Sequence, residues 1–187
     1  MDNYVKIIFA GDSNCGKTTL LLYYIMGEVK GEAKPTVAAS FFTRTIDLNN
    51  KKYNLVLWDT AGQELYRNLT PMYYRDSKIA FILFDVTSKT SFDNLESWVS
   101  DIRNEAGDGV LLSIVGNKID LDDRVISQVQ ATDYALSIGA QYFETSAITG
   151  EGVNEMIQCS LEEYIPLIET SSKTLSLTEN KKKNGCC

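Results

Sequence analysis

Several groups of reactive side chains are spread along the chain, and the first is Gly11-Asp12-Ser13-Asn14-Cys15-Gly16-Lys17-Thr18. It fits G-x-x-x-x-G-K-[ST], a loop that wraps polyphosphate. Phosphate oxygens carry several negative charges. A loop around them must turn backbone N–H groups inward, here those of Ser13, Asn14, Cys15 and Gly16, at dihedrals that glycine tolerates best. Lys17 adds a point charge for the β- and γ-phosphates, Thr18 offers a hydroxyl to Mg²⁺, and the following helix aims its positive end at the same anion. A glycine turn opening an ordinary helix is the competing reading.

Further groups extend the first. Asp59 follows an apolar run, where a carboxylate can hold Mg²⁺ directly or through water, although alone it would read as a turn aspartate. Gly62 lets the backbone approach a γ-phosphate, and the Gln63 amide can orient an attacking water. Asn117-Lys118-Ile119-Asp120 bears on the base. The Asp120 carboxylate can accept from N1–H and the exocyclic amine of guanine, and adenine offers neither donor on that edge, so a carboxylate there rejects it. Ser146-Ala147 can add a backbone N–H to the guanine carbonyl. A solvated turn is the plainer alternative at both places.

These residues need strands that end where they stand. Residues 4–10 are an apolar run and residues 19–25 have helical spacing, the order strand, loop, helix that the phosphate loop requires. A polar stretch over 27–35 reads as a loop, and 41–48 and 53–58 as a hairpin about Asn49-Asn50. Residues 59–76 read as irregular. A buried strand over 79–86 leads to a helix capped at Thr90-Ser91-Phe92-Asp93, with Phe92, Leu95, Val99 and Ile102 on one face. Residues 110–115 form another buried strand. A helix opening at Ser127 is followed by a short strand over 141–144, and a last helix aligns Val153, Met156, Ile157, Leu161, Tyr164, Ile165 and Ile168. The expected architecture is α/β, a mostly parallel six-stranded sheet with one antiparallel hairpin, helices on both faces and ligand loops at the strands' carboxyl ends.

A chain of 187 residues, 44% hydrophobic and 23% charged, can bury a full core without disulfides. Its apolar runs fall short of the roughly 20 residues of a membrane span, and Met1-Asp2-Asn3 lacks the basic start of a secretion signal, so a cytosolic protein is expected. Four cysteines, two of them terminal neighbours, do not make a secreted disulfide framework. Cys15 lies where a thiol could be activated, yet the loop needs only its backbone. The net charge of −7 argues against generic nucleic-acid binding. Beyond Ile168, four lysines against Glu169 and Glu179 give +2 and leave −9 on the body. A basic tail on an acidic body suits an anionic surface.

The loop at residues 11–18, Thr36, Trp58-Asp59-Thr60-Ala61-Gly62-Gln63-Glu64, Asn117-Lys118-Ile119-Asp120 and Thr145-Ser146-Ala147 together resemble a Ras-superfamily small GTPase. Pro71-Met72-Tyr73-Tyr74-Arg75 and the terminal Cys186-Cys187 narrow the resemblance to the Rab family of membrane-traffic switches, and residues 36–41 are similar to its early-endosomal subgroup. The resemblance covers residues 4–168 and the tail ending. It implies the P-loop NTPase (small G-protein) fold, GTP or GDP as ligand, and Mg²⁺ held by Thr18, Thr36 and Asp59. Lys17 and Gln63 would serve catalysis. Asn117, Lys118, Asp120, Ser146 and Ala147 would hold guanine, and Phe41, Trp58 and Tyr73 would face effectors. Exchange factors, GTPase-activating proteins, Rab escort proteins, GDP-dissociation inhibitors and effectors are the implied partners. Departures from the family pattern are Val29, Ala38, Leu65, Asp76 and Ile148.

The expected organisation is a GTPase domain over 1–168 and a disordered tail over 169–187, with geranylgeranyl groups on Cys186 and Cys187 and Lys181, Lys182 and Lys183 against anionic lipid. That would place the protein on the cytoplasmic face of intracellular membranes, endosomal ones for the subgroup, cycling with cytosol. Hydrolysis by in-line attack of water is the leading reading. The alternatives are a module that holds nucleotide without hydrolysing it and an ATP-using phosphotransferase. Gln63 disfavours the first and Asp120 the second.

Overall fold

A computed structural model of the chain describes residues 3–28, 39–60, 70–107 and 109–182, with the side chains of 70, 71 and 168–182 excepted. Its strands are β1 (Tyr4–Gly11), β2 (Ala39–Leu48), β3 (Lys51–Thr60), β4 (Ile79–Asp85), β5 (Leu111–Asn117) and β6 (Gln141–Thr145). They form one sheet in the order β2-β3-β1-β4-β5-β6. Among the described residues only β2 and β3 pair antiparallel; every other neighbouring pair is parallel. The helices are α1 (Lys17–Met26), α2 (Thr70–Tyr74), α3 (Lys89–Asp93), α4 (Leu95–Ala106), α5 (Gln128–Ser137) and α6 (Val153–Lys182).

Alternation along the strands divides the core. Val5, Ile7 and Phe9 of β1 join Leu20 and Leu21 of α1 and Met156, Ile157 and Leu161 of α6 on one face. Ile8 and Ala10 point the other way, to Leu95, Trp98 and Ile102 of α4 and Ala131 and Ala135 of α5. β4 is buried at every position, as a central strand covered on both faces must be. The consequence for the site is positional: β1, β3, β4, β5 and β6 all point their carboxyl ends to the same edge of the sheet, where a doubly wound fold binds its ligand.

The hairpin turns at Asn49 and Asn50, both at positive φ (52° and 60°), the geometry that matches strand twist in a two-residue loop. Three expectations are corrected. Thr70–Tyr74 is a short helix inside the stretch read as irregular. The cap of the third helix is Ser88, whose side chain accepts from the Ser91 backbone N–H, and Asn94 splits the expected single helix into α3 and α4. Finally, α6 runs to Lys182, past Ile168 and into the segment expected to be disordered. Between Pro166 and Gly185 no glycine or proline interrupts it, and extending an existing helix costs far less than starting one.

Candidate nucleotide site

The tip of β1 is shaped by two glycines. A Cβ on Gly11 (φ 127°) would lie 2.1 Å from the Leu83 carbonyl oxygen, and one on Gly16 (φ 90°) would lie 2.3 Å from Asn117 Nδ2. Only glycine fits either place. Gly16 also stands at the N-cap of α1, where no side chain caps the helix, so its first N–H groups are left for a ligand.

Lys17 is 6% exposed. Its ammonium donates to the carbonyl oxygens of Gly11 at 2.9 Å and Asp12 at 2.8 Å, which leaves one of its three donors for an anion. Burial lowers its pKa below the usual lysine value, against the opposing pull of Cys15, Asp59 and Asp12. Thr18 Oγ1 donates to Asp59 Oδ2 at 2.7 Å, so the first turn of α1 meets the end of β3. Two oxygen donors side by side, next to a phosphate loop, suit Mg²⁺, which takes few protein ligands and completes its shell with water and phosphate. Ser13 and Asn14 are exposed, and Asn14 adopts φ 67°. The Cys15 thiol is buried and its pKa is raised, chiefly by desolvation, which makes it a poor nucleophile.

The tips of β4, β5 and β6 are in register at Asp85, Asn117 and Thr145. Asn117 is fully buried. Its Nδ2 donates to the Cys15 carbonyl at 2.8 Å, and its Oδ1 accepts from Thr145 Oγ1 at 3.0 Å and Ala147 N at 3.2 Å. The residue thus spends its amide on joining the phosphate loop to the 145–147 turn. Ala147 N–H, expected to face the base, is held by that long bond, which a ligand carbonyl would have to share. Ser146 is likewise committed to its turn, its Oγ accepting from the N–H groups of Ile148 at 3.2 Å and Thr149 at 3.0 Å.

Lys118, at φ 69°, directs its ammonium to Asp85 Oδ2 at 2.7 Å. Burial alone would raise the Asp85 pKa. The bonds from Lys118 and from the Thr87 N–H and hydroxyl outweigh it, and the net shift is downward. Asp85 is a site residue that sequence reading missed; its position at the end of β4 was the available signal. Asp120 is exposed, and among the described residues no hydrogen bond holds it. Its carboxylate is therefore available to a base.

Away from this pocket, Phe41, Trp58 and Tyr73 form a row, with ring centroids 5.4 Å apart for the first pair and 5.5 Å for the second. Phe41 is 61% exposed, while Trp58 and Tyr73 are half-buried against the core. Asp76 adopts φ 63°, a left-handed conformation that glycine takes freely and that aspartate tolerates better than most side chains. Thr36, Gly62, Gln63, Cys186 and Cys187 lie outside the described residues, as do Val29, Ala38 and Leu65.

A phosphate loop feeding a helix, a carboxylate meeting that helix's first turn, and a tied Asn-Lys-x-Asp tip define a P-loop nucleotide-binding protein. The family described as Ras family matches residues 6–165. Ras-related protein Rab-21 of Mus musculus is 38% identical over 181 residues, covering 96% of this chain and 78% of that protein. GTP-binding protein ypt5 of Schizosaccharomyces pombe is 35% identical over 165 residues, covering 87% and 78%. The chain belongs to the Ras family of small GTPases, on its Rab branch. It is accordingly a GTP-hydrolysing switch of vesicle traffic, governed by regulators and read by effectors. No helix among the described residues is long and apolar enough to cross a membrane.

Proposed function

We propose that the nucleotide lies across the tips of β1, β3, β5 and β6, with its phosphates on residues 11–18 and its guanine on Asp120. The observation that carries this reading is Asn117, whose one buried amide ties the phosphate loop to the 145–147 turn. The two ends of the ligand are thereby held at a fixed separation. Lys17 presents its remaining donor to the β- and γ-phosphates, and Gly16 and its neighbours present backbone N–H groups. Thr18 and Asp59, with Thr36 in the GTP state, would hold Mg²⁺, which supplies neutralisation of charge on the phosphates. Gln63 orients the attacking water, and Gly62 brings its N–H to the γ-phosphate. Asp120 accepts from guanine, while the aliphatic stem of Lys118, fixed by Asp85, flanks the base.

No arginine occurs between Val29 and Phe41 to serve as a cis finger, so intrinsic turnover is slow, on the order of 10⁻⁴ s⁻¹, and an activating protein accelerates it. Loss of the γ-phosphate releases Thr36, and effectors leave the row of Phe41, Trp58 and Tyr73. Exchange factors, activating proteins, escort proteins and GDP-dissociation inhibitors complete the cycle. The body over 1–168 is carried on a tail whose lysines and lipidated Cys186 and Cys187 hold it to the cytoplasmic face of intracellular membranes. Similarity at residues 36–41 favours early endosomes.

Single-turnover GTP hydrolysis tests the mechanism. The expected result is slow decay, sped by an activating protein and abolished as a response in Gln63→Leu. Fast decay by the isolated protein, or an undiminished stimulated rate in the variant, would contradict it. For the tail, changing both terminal cysteines to serine should move the protein wholly into the soluble fraction.

A further inference from the structure

A carboxylate is out of place in a loop built to receive phosphate, yet Asp12 occupies its second position. A carboxylate beside phosphate oxygens repels them. The structure commits the side chain to two partners outside the loop. Asp12 Oδ2 accepts from Asn94 Nδ2 at 2.7 Å, and Oδ1 accepts from Trp98 Nε1 at 2.7 Å. Asn94 stands at the α3–α4 junction and Trp98 in the first turn of α4, both far along the chain.

These donors are neutral. They fix the direction of the carboxylate without cancelling its charge. Trp98 is 3% exposed within the core beneath α4, so its ring cannot follow if Asp12 swings. The backbone of Asp12 meanwhile accepts from the Lys17 ammonium at 2.8 Å. One residue therefore places its carbonyl at the phosphate-binding lysine and its charge on the neighbouring helix pair.

We propose that Asn94 and Trp98 are positioning residues that hold the Asp12 carboxylate out of the phosphate site, so that binding of a triphosphate is not penalised relative to a diphosphate. This rests on residues 11–18 being the phosphate site. With the latch broken, the carboxylate regains its other rotamers and can turn toward the ligand. The resulting repulsion grows with ligand charge and weakens in salt.

A double-mutant cycle on the full chain tests this, with dissociation constants for GTPγS and GDP measured by competition against a fluorescent guanine nucleotide at low and high salt. Trp98→Phe keeps most of the ring but removes the donor. It should weaken GTPγS on the order of ten-fold and GDP less, the size expected for one hydrogen bond to a charged group. Asn94→Ala should act in the same direction. The losses should shrink at high salt, and in an Asp12→Asn background Trp98→Phe should add less than about two-fold. Unchanged affinities in both single variants would overturn the proposal. So would equal losses of GTPγS and GDP that persist in the Asp12→Asn background, because those would mark Trp98 as a packing residue only. If Trp98→Phe fails to fold, Asn94→Ala carries the same cycle. A wild-type chain without affinity for either nucleotide would instead overturn the phosphate-site reading on which the latch depends.

Discussion

The two ends of the sheet are built on opposite terms. At the β5 and β6 tips, Asn117, Thr145, Ser146 and Ala147 are buried, and the Asn117 amide has three partners within the protein. At the other end β2 is an edge strand, paired among the described residues with β3 alone, and every one of its residues is exposed or half-exposed, among them Phe41. A region that must recognise one base gains from being wired before the ligand arrives, since nothing then has to be ordered on binding. A region that must be read by other proteins has to keep its apolar side chains outside. Under the proposed function the difference separates recognition of the base from signalling along one sheet, with the phosphate loop between them.

Substitutions should divide along the same line. The largest effect is expected for Asn117→Ala, which removes three bonds at once. At about 1 kcal/mol each the domain loses about 3 kcal/mol, and nucleotide affinity falls by about a hundred-fold or more. Chemical denaturation and nucleotide titration would measure the two losses. A variant that kept wild-type affinity would break the claim that this end is prewired.

Lys118→Met comes next. It leaves Asp85 without its cation and should cost about 1–3 kcal/mol at neutral pH. The folded pKa of Asp85 lies below the ordinary 3.8, so the pair's contribution is fully present above 3.8 and is lost as pH falls through the depressed folded value. The stability gap between wild type and variant, followed by denaturation at successive pH values, should therefore close only on acidification below about 3.8. A gap of constant size would show that Lys118 acts by packing alone.

Phe41→Ala is expected to do least to the protein and most to its partners. With 61% of the side chain exposed, folding stability should move by about 0.5 kcal/mol or less, whereas affinity for a GTP-state effector should fall by about ten-fold or more. Equal losses in both measurements would place Phe41 in the core and dissolve the contrast.

Much of this arrangement is legible in the chain. The phosphate loop, the hairpin about Asn49-Asn50 and the cap at Ser127 announce themselves because their signals are local: a motif, an alternation, a cap bonded to Gln130. What escapes is what the fold brings together from afar. Asp85 and Lys118, and Cys15 and Asn117, meet because parallel strands end on one edge, and Asp12 and Trp98 because α4 packs beside the β1 tip; no periodicity records any of this. The role of Asn117 shows the limit most clearly. Its place in Asn-Lys-x-Asp suggests contact with the base, yet nothing in the sequence distinguishes an amide offered to a ligand from one spent inside the protein. The extension of α6 is a different case. Its residues lack a repeating apolar face beyond Ile168, but they also lack a breaker, and the absence of one signal is not the presence of the other.

In the proposed function the β5 and β6 tips receive guanine and the β1 tip its phosphates. The base and phosphate count of the nucleotide released on denaturing the purified protein tests it most directly. One equivalent of guanine nucleotide, GDP or GTP, is expected; an adenine nucleotide in its place would rule the base assignment out.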